Sequence, residues 1–151
     1  SEPTTRLGYW YANLLHVGRL QLVIALSERT FVPVVLPAAP IATLSTRLPD
    51  GAGQVLRALG IPAPDVEREQ AAMSQVAFGT AVNRQALGVM VDFAKLLPFF
   101  LEDTPSLLDL SLKLAGTPCG PLYKRTSFPD KETVATFLAK TREHQATTRV
   151  R

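Results

Sequence analysis

The spacing of apolar positions along this chain changes at about residue 37. Before it, "YWYANLLHV" (9–17), "LQLVIAL" (20–26) and "TFVPVVL" (30–36) are short apolar stretches rich in Val, Ile, Phe, Trp and Tyr, with the length and composition of strands. The breaks between them, Gly18-Arg19 and Ser27-Glu28-Arg29, are too short to cross over to a parallel neighbour. An antiparallel meander is therefore expected. Pro33 has no N–H to give to a ladder, which places the third strand at an edge or at a bulge.

From Pro37 onward, Pro, Ala and Gly become frequent and the apolar residues recur at helical spacing. Pro40 opens a short helix presenting Ile41, Leu44 and Leu48; Asp50 precedes a second with Val55, Leu56 and Leu59, stopped by Gly60 and Pro62; Asp65 to Met73 forms a third. "SQVAFGTA" (74–81) reads as a short fourth strand joining the meander. Asn83 is a suitable N-cap for a central helix that runs through Leu97 and is bent or ended by Pro98. Thr104-Pro105 opens another helix, closed by Gly116, and Pro129-Asp130 opens the last, with Val134, Phe137 and Leu138 on one side. The expected fold class is α+β: an antiparallel meander packed against a mostly buried central helix and several short helices.

The central segment "NRQALGVMVDFAKLL" (83–97) carries the sharpest pattern. At about 100° per residue, Leu87, Val91, Pro98, Ala94, Met90, Leu97, Phe93, Val89 and Leu96 cover well over half of the wheel. Arg84, Gly88, Asp92 and Lys95 fall within about 80° of one another in the remaining strip. A solvated edge with an Asp92–Lys95 pair at i,i+3 is the plain reading of that strip. The functional reading places an anionic group at the helix N-terminus beside Asn83 and Arg84, with Gly88 opening room one turn on.

Size and charge narrow the field. The 151 residues suit one domain with a substantial apolar core, since 46% of them are hydrophobic. No apolar run approaches the roughly 18–20 residues of a membrane span, and the start lacks the layout of a signal peptide, so a soluble, cytoplasmic protein is expected. One cysteine, Cys119, excludes an internal disulfide and suits a reducing compartment. Lys140, Arg142, Arg149 and Arg151 against Glu143 account for the whole net charge of +3, which divides the chain into a globular 1–139 and a basic, flexible tail, 140–151. Nucleic-acid binding through that tail is a weak option, because a phosphate-tracking surface needs its cations clustered on the folded body.

"WYANLL", the hairpin "LQLVIALSERTFVPVVLPA", "NRQALGVMVDF" and "TPCGPL" together resemble a small bacterial family known only as a domain of unknown function. The resemblance runs from about Tyr9 to Pro129 and implies positions, not an activity. Trp10, Asn13, Asn83, Arg84, Gly88 and Asp92 match the family's motif. The family pattern usually has a Lys-rich strand before the Trp; its absence here would leave a strand edge open for pairing, for example to a second copy.

Beside that resemblance, the residues are read on their own chemistry. In a regular strand Trp10, Ala12, Leu14 and His16 share one face, and Tyr11, Asn13 and Leu15 the other. Asn13, a polar amide among apolar neighbours, either bonds backbone or helps line a pocket with Tyr11 and Arg19. A dyad of Cys119 with His16 or His144 lacks any positioning signal, and one Cys with two distant His cannot supply a zinc site. "GAGQVL" (51–56) lacks the third Gly and the preceding strand of a dinucleotide fingerprint. No metal and no cofactor is expected. The leading expectation is a binding protein for a small polar or anionic ligand or a protein partner, through Trp10, Asn13, Asn83, Arg84, Gly88 and Lys95. The alternative is a small enzyme acting on an anionic or amide-bearing molecule, with Arg84 as anchor and Asp92 as acid/base.

Overall fold

A computed structural model describes residues 5–73 and 83–149, without the side chains from 140 onward. Among the described residues, three strands, β1 (Trp10–Val17), β2 (Leu20–Ser27) and β3 (Pro33–Pro37), form an open antiparallel sheet in the order β1-β2-β3. The β1–β2 hairpin closes on Gly18-Arg19, with Val17 opposite Leu20 and Gly18 at φ 60°. That positive φ suits a two-residue turn twisting with the strands, and glycine meets it without strain. At the second turn Ser27, Thr30 and Thr133 join in a buried chain of hydroxyl hydrogen bonds that ties the loop to the last helix.

The α-helices that follow among the described residues are α1 (Leu44–Ala58), α2 (Ala63–Met73), α3 (Arg84–Asp103), α4 (Leu107–Ala115) and α5 (Pro129–Arg149). Strand alternation divides the core in two. Trp10, Ala25, Val34 and the half-buried Ala12 and Leu36 face Leu48, Ala52, Val55 and Leu56 of α1, with Val66 and Met73 of α2 and Phe137 of α5. On the other side, Leu22, Ile24, Leu26 and Val35, with the half-buried Tyr11, Leu15 and Val17, meet Ala86, Val89, Met90, Phe93 and Leu97 of α3 and Leu110 and Leu114 of α4. Covered on both faces, β2 is buried from Leu22 to Ser27. The outer edge of β3 is closed by α4, where the Val35 N–H donates to Ser111 Oγ at 2.9 Å. That contact satisfies a backbone donor that an open edge would leave to solvent or to another chain.

Two helices run through interior prolines. The helices expected at Pro40 and Asp50 are one, α1, preceded by a short 3₁₀ turn at Ile41–Thr43, and Pro49 lies inside it. Helix α3 likewise continues beyond Pro98 to Asp103. An interior proline costs about 3 kcal/mol through a lost hydrogen bond and a clash. In α1 the single stripe Leu48, Ala52, Val55 and Leu56 packed on the sheet outweighs that cost, because tertiary burial stabilises a helix more than local propensity does. The glycines of "GAGQVL" are explained by packing. A Cβ on Gly51 would sit 2.9 Å from Leu36 Cδ2, and one on Gly53 2.0 Å from Gln70 Nε2. They seat α1 against β3 and α2. Helix α4 is capped by Ser106, whose Oγ accepts from the Asp109 N–H, so it starts just after the expected Thr104-Pro105. The fourth strand expected over 74–81 lies outside the described residues.

Candidate functional site

Asn83 fixes the start of α3: its Oδ1 accepts from the N–H groups of Gln85 at 2.9 Å and Ala86 at 3.1 Å. This is the N-cap expected from sequence, and it uses two of the donors that an anion at the helix end would need. The Asn83 side chain lies near Tyr11, whose hydroxyl donates to Glu28 at 3.2 Å. Burial, then the Glu28 charge, raises the Tyr11 hydroxyl above its ordinary range.

The strip Arg84, Gly88, Asp92 and Lys95 points outward along α3, and all four residues are exposed. The buried arc of α3 is narrower than the wheel suggests, being Ala86, Val89, Met90, Phe93 and Leu97. Leu87 and Val91 belong to the outward face: Leu87 is 39%, Val91 53% and, one turn past the expected end, Phe99 74% exposed. Among the described residues the ion pairs are Arg6–Asp65, Arg68–Asp65 and Arg125–Glu132, so Asp92 and Lys95 do not form the expected i,i+3 pair.

A groove of about 400 Å³ runs beside this face, lined by Gln85, Gly88, Val89, Val91, Asp92, Gly120 and Pro121. A Cβ added at Gly88 would meet nothing within 4 Å, so the backbone there is open to an approaching group. Of the strip, Gly88 and Asp92 line the groove; Arg84 and Lys95 stand outside its lining. Beneath the rim lies Cys119, 5% exposed in the core of the α3 side. Burial, reinforced by the nearby Asp92 carboxylate, pushes its thiol up to about 11, so at neutral pH it is a packed apolar group and not a nucleophile.

Two sequence candidates lie elsewhere. Trp10 is 1% exposed on the opposite face of the sheet, packed with α1 and α2, so the sheet separates it from α3. Strand alternation orders the faces of β1 correctly but does not say which face α3 covers. Asn13 is exposed on β1, and its Oδ1 accepts from the Leu14 N–H at 3.2 Å. It does not line the groove. Sequence reading missed Gln85, although it sits next to Asp92 on the wheel, and it missed Gly120 and Pro121, which only the tertiary fold brings to α3. A second groove of about 490 Å³ lies between the end of α1 and α5, lined by Ala58, Leu59, Val134, Ala135 and Leu138 with Asp130 and Lys131. None of the sequence candidates reaches it.

Among the described residues, no three His, Cys, Asp or Glu are grouped to hold a metal ion, and no helix is long and apolar enough to cross a membrane. Residues 1–132 match the model of one protein family, described as Domain of unknown function (DUF6933). No curated protein and no solved structure matches the chain.

Proposed function

We propose that this chain, which belongs to the DUF6933 family, is a non-catalytic recognition module that binds a protein segment along the outward face of α3. The observation that carries this reading is the exposure of Leu87, Val91 and Phe99 on one helix face, beside a groove and among charged residues. Single exposed apolar side chains carry no meaning, but three on one helix face, interleaved with the charges of Arg84 and Lys95, have the mixed composition of an interface. The single cysteine supports a reducing, cytoplasmic setting.

The competing readings have less support. An acid/base role for Asp92 calls for a carboxyl shut from water against a bound substrate, whereas Asp92 is exposed in an open groove. An anion seat at the helix start competes with the Asn83 carboxamide and would lack Arg84 in the groove lining.

Amide NMR of dilute protein titrated with N-acetylphenylalanine amide, and separately with inorganic phosphate, tests the proposal. The aromatic probe should shift Gly88, Asp92 and Gly120, and Val91→Glu should abolish those shifts. Phosphate shifting Gln85 to Gly88 instead, or neither probe shifting the groove, would overturn it.

A further inference from the structure

The outward face of α3 is complementary to itself. Resting on the protein-recognition reading of this face, we infer that its partner is a second copy of this chain, with the two α3 helices packed antiparallel about a two-fold axis.

Such an axis at the level of residues 93–94 places residues equidistant from it opposite one another, and they touch when they also share an azimuth. Arg84 and Glu102 are roughly five full turns apart and so point the same way. Arg84 of one copy therefore meets Glu102 of the other, and the contact occurs twice. Both residues are exposed, and neither belongs to an ion pair among the described residues. Gly88 and Phe99 differ in azimuth by about 20° and lie at equal distances from that axis to within one residue. The Phe99 ring, 74% exposed in the single chain, comes to lie over Gly88, where a side chain would meet open space. In the same register the methylene stem of Lys95 covers Val91.

A parallel arrangement would set Arg84 against Arg84 and leave the Gly88 hollow without a ring. A helix of about 30 Å gives a small interface, so the dimer is reversible and not obligate.

Sedimentation velocity of the full chain from low micromolar to about 1 mM tests the pairing, with thermal unfolding confirming that each variant is folded. The parent should dimerise, and Arg84→Glu or Glu102→Arg alone should weaken the dimer about tenfold or more, since two contacts are lost and become repulsive. Mixing the two variants restores opposite charges at both contacts and should recover a heterodimer. A parent that stays monomeric throughout, a dimer indifferent to both variants, or a mixture without recovery would each overturn the inference. Shifts with N-acetylphenylalanine amide on a monomeric chain would leave the recognition reading standing, whereas loss of both would remove the two together.

Discussion

Replacing Gly88 by Ala asks whether the outward face of α3 is free. Glycine in a helix interior costs roughly 0.5–1 kcal/mol relative to alanine, chiefly through the entropy of the unfolded chain. A Cβ at Gly88 meets nothing within 4 Å, so no steric penalty offsets that gain. Gly88→Ala should stabilise the monomer by about 0.5–1 kcal/mol, or roughly 1–4 °C in Tm for a domain of this size. Gly51→Ala is the contrast, because its Cβ would stand 2.9 Å from Leu36 Cδ2 and 3.0 Å from Val34 Cγ1. Overpacking of about 1–3 kcal/mol there should cancel or reverse the propensity gain. Urea unfolding at low micromolar concentration reads both variants. At high concentration the Gly88→Ala advantage should shrink, since the new methyl group occupies the hollow assigned to Phe99. A Gly88→Ala monomer less stable than the parent would mean that the backbone at Gly88 is already covered, and that the outward face of α3 is not an open surface.

Three further outcomes follow from buried contacts. Ser111→Ala leaves the Val35 N–H without its 2.9 Å acceptor and should cost about 1–3 kcal/mol in urea unfolding, with faster exchange of the Val35 amide; unchanged exchange would show that α4 does not close the β3 edge. Glu69 accepts from the N–H groups of Arg6 at 2.8 Å and Leu7 at 3.2 Å, yet burial, its largest influence, raises its carboxyl above the ordinary value. The folded chain therefore holds that proton more tightly than the unfolded one, and stability falls as pH rises from the ordinary Glu range through the folded value, then levels. Glu69→Gln should flatten that acid-side slope, measured as urea midpoints against pH; an unchanged slope would acquit Glu69. Cys119, buried with its thiol pushed up to about 11, should resist iodoacetamide at neutral pH until the chain is unfolded, and rapid labelling of native protein would contradict its place in the core.

What the sequence disclosed was local. The two-residue break at Gly18-Arg19 sets the hairpin, and Asn83 caps α3 because a short side chain with an acceptor oxygen precedes a helical apolar pattern. Pro98 does not end α3 and Pro49 sits inside α1, because proline's cost is local, while the burial that outweighs it comes from the sheet and neighbouring helices. Periodicity groups Leu87 and Val91 with the apolar side of α3 but cannot fix where contact with the sheet stops. Trp10 and the α3 strip are candidates of one motif that end on opposite sides of the sheet. Gly120 and Pro121 complete the groove from a turn far along the chain, and no local pattern carries that information.

On the proposed function, Leu87, Val91 and Phe99 form an open surface that a partner covers. Hydroxyl-radical footprinting across a concentration series measures it directly, reading oxidation of those three side chains against buried Phe93 and Met90. Leu87, Val91 and Phe99 should oxidise readily in dilute protein and become progressively protected as concentration rises, with Phe93 and Met90 protected throughout. Protection of Leu87, Val91 and Phe99 already in dilute protein, or oxidation that never changes with concentration or with added N-acetylphenylalanine amide, would contradict it.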